Sequence, residues 1–306
     1  MSELSDSSVG KRWYRRILFT VVLLGVLYYI INAGSDLWHF DYRLDWSYVI
    51  LSFIFTTLAY LMQLFIWIKL ADTFGLHAPF LSSANAWSLS QLGKYIPGKA
   101  GLVLIRIDIY AGESKRKIAV ATGVEFVTCM AAACLLVLIA LIFLPELAHV
   151  SLRLTAAISA ILCLIALYPP ILKKLTGWVF RIIKRDPLTE LPTYGLLMKL
   201  VGANILVGLP YGLGLFFAFR CFYPIGWEYF LMITAVYYAA TLAGIAAIFA
   251  PAGIGVREGI VFLVLPAFIP NPVVIFATIL TRILITAVEI FLAAVFWLSY
   301  KFLKRK

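Results

Sequence analysis

Residues 93–108, GKYIPGKAGLVLIRID, break an otherwise strongly apolar sequence with a Pro-Gly pair and four charged side chains. The preceding residues, 80–92, are compatible with a helix, and Pro97-Gly98 ends that arm because proline lacks the amide and glycine is flexible. A second short arm starts at Gly101. Neither arm reaches the roughly 20 residues that a bilayer crossing takes. The pattern predicts a re-entrant hairpin entering from the cytoplasmic side; the alternative is a cytoplasmic loop with an interfacial helix.

The rest of the chain has the composition of a polytopic membrane protein. Hydrophobic residues make up 63% of the 306 residues and charged residues 13%, whereas soluble domains carry about 25% charged residues. Long unbroken apolar runs exclude the alternating strands of a membrane barrel. We therefore predict an all-α polytopic membrane protein of about eight transmembrane helices. The runs are 17–34, 47–68, 118–145, 154–172, 200–219, 229–250, 273–300 and 259–269, of which the last is too short to cross unaided.

The basic residues predict the orientation. Most of the 26 lysine and arginine residues fall in loops on one side, which the positive-inside rule makes cytoplasmic. We expect a cell (inner) membrane protein with one transmembrane domain, 1–306, and both termini in the cytoplasm. The net charge of +11 favours anionic lipid headgroups, and its spread over several loops argues against nucleic acid. The predicted parts are a cytoplasmic tail 1–16, a first half 17–172, a cytoplasmic interfacial segment 173–199 and a second half 200–306.

The interfacial segment carries its own pattern. Leu175, Trp178, Val179 and Ile182 recur at helical spacing with lysine and arginine between them. This pattern predicts a short helix in the plane of the membrane surface, with a basic loop that orients the neighbouring spans as the alternative.

A second break follows half a chain later, in FAPAGIGVREG at 249–259. Pro251 ends a span, and Gly253 and Gly255 allow positive φ or a close backbone approach. A helix that starts at the following Arg257-Glu258 pair would offer free N–H groups to an anion; a tight cytoplasmic turn is the alternative. Because both breaks follow an even number of spans, we expect both to face the cytoplasm, which suggests a parallel pseudo-repeat of two halves.

Three charged residues fall inside predicted spans: Glu125, Arg282 and Glu289. Charges at membrane depth are unfavourable unless they are paired or hydrated, so these should face the interior of the bundle. They either belong to a substrate pathway or form structural ion pairs, for example between Glu125 and Arg106.

The sequence offers little for catalysis. It contains no hydrolase elbow, phosphate-binding loop or metal-ligand cluster, and its four cysteines show no CxxC pairing. We expect no enzyme activity, no catalytic residues, no metal and no cofactor. A membrane glycosyltransferase, with base or metal ligands among Asp36, Asp41 and Asp45, is the minor alternative.

At GKYIPGKAGLVLIRID, Glu125 and FAPAGIGVREG the sequence resembles the flippase-like transmembrane region of the lysylphosphatidylglycerol synthases and the stand-alone membrane proteins related to it. The resemblance covers nearly the whole chain. In two-domain members a cytoplasmic C-terminal synthase aminoacylates phosphatidylglycerol, and the membrane region is thought to translocate the product. Because the sequence ends at Lys306 without a synthase-like segment, we expect it not to make lysylphosphatidylglycerol itself.

These observations together predict a protein that binds and translocates a lipid with a phosphate headgroup: a phospholipid, an aminoacyl-phospholipid or a polyprenyl-phosphate-linked lipid. The expected partners are membrane lipids with anionic headgroups, with a lipid- or glycan-synthesising enzyme as a further candidate. Besides the glycosyltransferase or its lipid-handling subunit, a structural adaptor of a lipid synthase remains an alternative.

The predicted roles fall into three sets. Arginines would bind the phosphate and lysines would gather headgroups, because guanidinium offers fixed bidentate donors; these are Arg106, Arg257, Arg282, Lys94 and Lys99. Acids would hold the arginines or meet a cationic headgroup: Glu125, Glu258 and Glu289. Backbone breaks would let a headgroup approach: Pro97, Gly98, Gly101, Pro251, Gly253 and Gly255.

Overall fold

The computed structural model describes Ile31 and residues 44–95, 101–110, 112–144, 150–182, 191–247 and 250–303. Within these ranges all regular secondary structure is helical. The α-helices are α1 (Trp46–Thr73), α2 (Phe80–Leu92), α3 (Gly101–Ile109), α4 (Lys115–Phe143), α5 (Val150–Ala166), α6 (Pro169–Ile182), α7 (Tyr194–Arg220), α8 (Tyr229–Ala246), α9 (Val256–Val264) and α10 (Asn271–Leu303). Short 3₁₀ turns occupy Gly93–Tyr95, Pro251–Gly253 and Leu265–Ala267.

Five of the described helices, α1, α4, α7, α8 and α10, are long and apolar enough to cross a membrane. The chain is therefore a multi-pass membrane protein, but the predicted count of eight is not confirmed. Apart from Ile31, the run 17–34 lies outside the described residues, and 259–269 contributes only part of the short α9 and a 3₁₀ turn. The run 154–172 ends as a helix at Ala166, and the chain then bends by 81° into α6. The bend coincides with Pro169, which disfavours a helical conformation at the residue before it.

Helix α6 matches the predicted interfacial helix in character but not in extent. It begins at Pro169 rather than at residue 173, and α7 already begins at Tyr194. Leu175 and Trp178 are exposed on it, whereas Phe180 is buried. The segment 173–199 is thus shared between the ends of two helices.

Small residues on α7 let neighbouring helices approach closely. A Cβ on Gly208 would lie 2.5 Å from a methyl carbon of Leu136, and one on Gly212 would lie 2.5 Å from Thr234 Oγ1. Ser52 of α1 donates to the Gly214 carbonyl oxygen at 2.6 Å. Membrane helices associate through such small-residue contacts because lipid provides no hydrophobic force between them.

Two helical hairpins pack within the bundle. In hairpin A, residues 80–109, α2 packs against α3, and a Cβ on Gly93 would lie 2.5 Å from the carbonyl carbon of Gly101. Only glycine permits that approach between the two arms. In hairpin B, residues 229–264, α8 ends near the Pro251–Gly253 turn and the returning α9 packs back against it.

The hairpins enter the bundle from opposite ends. One end holds the start of α1 and the end of α7, joined by Asp45 N–H to Cys221 O at 2.9 Å. The start of α10 lies at the same end, because Phe222 and Phe276 contact each other with ring centroids 5.7 Å apart. Hairpin B begins there. Hairpin A begins at the other end, where Phe80 packs on Phe296 near the end of α10.

The tips of the two hairpins meet inside the bundle, at the Gly93–Tyr95 and Pro251–Gly253 turns. The sequence analysis placed both breaks on one side and suggested a parallel repeat, and the contacts correct both points. The parity argument assumed that the run 229–250 crosses completely, whereas the chain turns back at Pro251 partway along α10. Hairpins that enter from opposite ends are related as in an inverted arrangement.

Candidate functional site at the hairpin tips

The first part of the site centres on Glu289, whose side chain on α10 is buried. Its carboxylate accepts hydrogen bonds from Lys94 at the tip of hairpin A and from Tyr60 in the middle of α1. Tyr95 Oη donates to Glu289 Oε2 at 3.1 Å and also lies 3.0 Å from Thr286 Oγ1. An otherwise unfavourable buried carboxylate is thus paired and hydrogen-bonded, and it ties hairpin A to two long helices.

The second part is built on Glu258, in the first turn of α9. Its Oε2 accepts from the Gly255 N–H at 2.7 Å, which caps the helix N-terminus. Its Oε1 accepts from Arg282 Nε of α10. The sequence analysis expected these N–H groups to be open to an anion; in this conformation Glu258 already engages the one at Gly255.

Arg257 lies in a slot made by two glycines. A Cβ on Gly244 of α8 would lie 2.8 Å from Arg257 Cγ, and one on Gly253 would lie 3.2 Å from Arg257 Cδ. Gly253 has a φ of +72° and Gly255 a φ of +84°, as the sequence analysis allowed. Among the described residues Arg257 has no hydrogen-bond or ion-pair partner, although α9 and α8 hold its stem in place.

The guanidinium of Arg257 lines a small pocket together with Arg282, Tyr211, Tyr237 and Thr281. The cavity volume is about 20 Å³, enough for one ordered water molecule. Arg282 Nη2 is buried and has no hydrogen-bond partner among the described residues. The pocket is therefore rich in donors but too narrow for a headgroup in this conformation.

The electrostatic balance at the tips is positive. Arg257 and Arg282 are close enough to Lys94 to interact with it electrostatically. In the described part of the tips these three cations face two carboxylates: Glu258 pairs with Arg282, and Glu289 pairs with Lys94. We call Lys94, Arg257, Glu258, Arg282 and Glu289 the tip cluster.

Arg106 and Glu125 form a separate pair between α3 and α4. Arg106 is fully buried, and its Nη1 lies 2.5 Å from Glu125 Oε2. Its guanidinium stacks 3.8 Å from the ring centroid of Trp67, its Nε donates to Ser90 Oγ at 2.9 Å, and Trp87 Nε1 donates to Glu125 Oε1 at 2.8 Å.

This is the structural ion pair that the sequence analysis left open as an alternative. The substrate role of Arg106 and Glu125 stays a prediction, because their charges already neutralise each other inside the fold.

The remaining predicted residues divide into two groups. Pro97, Gly98 and Lys99 lie outside the described residues. Gly101 starts α3 against Gly93, and Pro251 starts the 3₁₀ turn at the tip of hairpin B. These glycines and Pro251 bring the two tips together, while their predicted contact with a headgroup stays a prediction.

Sequence reasoning missed the tyrosines and one glycine. Tyr60 and Tyr211 lie within apolar spans and read there as hydrophobic residues, and Gly244 reads as an ordinary small residue. One signal was available: a buried tyrosine hydroxyl usually needs a hydrogen-bond partner, so a tyrosine near the centre of a span suggests a polar group facing it.

The arrangement is suited to binding an anion. In the described part of the chain no three His, Cys, Asp or Glu side chains converge closely enough to hold a metal ion. What the tip cluster provides is a set of fixed N–H donors and an excess of positive charge, which together attract an anion.

Comparison with known proteins agrees with this architecture. No curated protein matches the chain. The family model described as the lysylphosphatidylglycerol synthase TM region matches residues 15–293, a range that includes both hairpins and every member of the tip cluster. The match confirms the resemblance found in the sequence, and the chain belongs to the family of the lysylphosphatidylglycerol synthase transmembrane region.

Proposed function

We propose that this protein binds a lipid with a phosphate headgroup at the tip cluster and moves it across the membrane. The carrying observation is Arg257, a positioned guanidinium with no hydrogen-bond or ion-pair partner among the described residues, at the meeting point of two hairpins. Membership in a family named for a lipid synthase agrees with a lipid-related role.

The energetic argument starts from the third cation. A charge at membrane depth is unfavourable by several kcal/mol unless it is paired or hydrated. Lys94 and Arg282 have carboxylate partners, whereas Arg257 adds positive charge to a narrow pocket. A phosphate would neutralise this charge and accept a bidentate hydrogen bond from the guanidinium.

The two hairpins supply the path in this proposal. We infer that both are re-entrant, so that irregular backbone lies at membrane depth only where protein surrounds it. The run 17–34, α1, α4, α5, α7 and α10 would then be the full crossings, in place of the eight counted from the sequence. Because the hairpins enter from opposite ends, only their contacting tips would lie between the two sides of the membrane along this path.

The ion pairs of the tip cluster would keep the lipid path closed when no lipid is bound. A phosphate that enters must compete with Glu258 for Arg282 and with Glu289 for Lys94. The exchange of one anionic partner for another leaves each cation paired throughout, which keeps the barrier low. No bond of the lipid is broken, so the proposal includes no enzyme activity and no cofactor.

The same proposal includes the location, the orientation and the partners of the protein. The protein would lie in the cell (inner) membrane with both termini in the cytoplasm, and anionic lipids would be its first partners. An enzyme that makes a lipid or a glycan precursor would supply the substrate.

Lipid retention tests the binding step. The full chain is purified with its native lipids and analysed by native mass spectrometry, beside Arg257→Ala and Arg257→Lys. We expect Arg257→Ala to lose most of the co-purified anionic phospholipid, and Arg257→Lys to keep part of it, because lysine retains the charge without the planar fork.

Arg153→Ala is the matched control, because Arg153 is an exposed arginine outside the tip cluster. Equal retention of anionic lipid by the parent, Arg257→Ala and Arg153→Ala would contradict the proposal.

A further inference from the structure

A second cavity opens at the end of the bundle where hairpin A begins, away from the tip cluster. Its volume is about 470 Å³, and its wall includes His77, Ser82, Asn85, Asp108, Glu113 and Tyr300. It shares no lining residue with the pocket at the hairpin tips. We call it the vestibule.

The charge of the vestibule is opposite to that of the chain. Among the described residues of its lining, Asp108 and Glu113 are the only fully charged side chains, although the chain as a whole carries +11. The basic residues that follow Glu113 are not part of the wall: Lys117, for example, points its Nζ towards Gly75. A concave site with acids of one sign concentrates cations.

Asn85 provides evidence for a ligand in the vestibule that is independent of the two acids. Its side chain, on α2, is only 3% exposed and lines the vestibule. Among the described residues its buried Oδ1 accepts no hydrogen bond. Buried polar atoms are rarely left without a partner, so this oxygen is an unused acceptor in a side chain that lines the vestibule.

The aromatic residues fit the same ligand. Tyr110 and Tyr300 both lie in the wall, and aromatic rings attract an ammonium group through their negative faces. A bare metal ion fits less well, because in the described part of the chain no three His, Cys, Asp or Glu side chains come together at ligand distance. Two acids in a wall that also contains aromatic rings suit an organic cation.

We propose that the vestibule binds a primary ammonium group, with Asp108 and Glu113 balancing its charge and Asn85 accepting one of its N–H bonds. The ammonium group belongs either to a lipid headgroup or to a soluble amine. The site is separate from the phosphate site proposed above, so either one can fail without the other.

The test uses the purified full chain in nanodiscs and two matched pairs of probes. Cadaverine is titrated against pentamethonium, its bis-quaternary analogue of the same charge and chain length, by calorimetry in phosphatidylcholine nanodiscs. Phosphatidylethanolamine is compared with phosphatidylcholine by native mass spectrometry. Each pair contrasts a cation that has N–H donors with a quaternary cation that has none.

We expect one primary amine to bind and its quaternary counterpart to bind about tenfold more weakly or not at all. Cadaverine alone would assign a soluble amine, and phosphatidylethanolamine alone would assign a lipid headgroup. The double variant Asp108→Asn/Glu113→Gln should lower the affinity for the primary amine by about tenfold or more. Asn85→Leu should reduce the difference in affinity between the primary amine and its quaternary counterpart.

Glu228→Gln is the control, since Glu228 is an exposed acid at the opposite end of the bundle, beside the start of hairpin B, and is not in the vestibule lining. Its binding should equal that of the parent. The proposal is overturned if neither primary amine binds better than its quaternary partner, or if Asp108→Asn/Glu113→Gln binds as well as Glu228→Gln does. Retention of anionic lipid, measured on the same samples, reports separately on the tip cluster.

Discussion

At the scale of single residues, the position of Arg257 depends on two neighbouring glycines, which have no side chain. Gly244 and Gly253 leave the slot that its aliphatic stem fills. We predict that Gly244→Ala displaces the guanidinium, because the added Cβ would lie 2.8 Å from Arg257 Cγ and helix packing leaves little room to adjust. Retention of anionic lipid should fall although the protein stays folded.

Gly123→Ala is the control for that change. Gly123 also lies within a helix, but a Cβ there would meet nothing within 4 Å. It should retain lipid like the parent and be equally stable or slightly more stable. If Gly244→Ala retains as much anionic lipid as Gly123→Ala, the slot does not position Arg257 for binding.

The pair of Arg106 and Glu125 makes a second prediction at this scale. Removing one member of a buried ion pair leaves the other charge uncompensated, which typically costs about 3–5 kcal/mol. We expect Glu125→Ala and Arg106→Met each to lower the free energy of unfolding by roughly that amount, measured by denaturant titration in detergent.

The double variant Arg106→Met/Glu125→Ala should lose much less than the sum of the two single changes, because residues in direct contact are not additive. Additive losses would mean that the two side chains do not stabilise each other.

Many residues of the candidate site could be predicted from the sequence. The charges and glycines of both breaks stand out from an apolar sequence, and pairing between Arg106 and Glu125 could be anticipated because isolated charges are unfavourable at membrane depth. The pairing of Lys94 with Glu289 and of Glu258 with Arg282 could not, since those partners come from distant elements. Tyr60 and Gly244 carry no charge, so nothing in the sequence marked their contact with the site.

At the scale of elements, the central feature is the contact between two hairpin tips that enter from opposite ends. In a chain whose four native cysteines are replaced, cysteines at Tyr95 and Ala252 should be joined by a short bifunctional maleimide, because their turns contact each other. Cysteines at Tyr95 and Leu263 form the control, since Leu263 lies at the far end of α9 and is exposed. Cross-linking of the control pair alone would contradict the arrangement.

The ends of the elements could be predicted better than their direction. The break predicted at Pro251 is present, because proline removes a backbone donor and restricts the residue before it. The predicted run 154–172 instead continues through Pro169, where the structure bends by 81°. Whether a chain continues across the membrane or turns back after a break depends on contacts with other helices. Hydrophobicity is the same in both cases, and for that reason the parallel repeat was wrong.

At the scale of the whole molecule, the two ends of the bundle should face different compartments. A cysteine at the exposed Glu228, beside the entrance of hairpin B, should react with an impermeant thiol reagent in intact cells. A cysteine at the exposed Lys174 on α6 should react only after permeabilisation, because the basic end should be cytoplasmic. The reverse pattern would invert the topology, and equal labelling of both in intact cells would contradict two separate compartments.

The most direct measurement of the central claim is transbilayer movement in liposomes that contain the purified full chain and a fluorescently labelled anionic phospholipid. Movement is scored by bleaching of the label from outside. Relative to the parent and to Arg153→Ala, Arg257→Ala should slow the movement by about tenfold or more, the factor that about 1.4 kcal/mol of barrier height provides, while Arg257→Lys should lie between them. Movement at the parental rate in Arg257→Ala liposomes with the same amount of folded protein would contradict phosphate recognition at the hairpin tips.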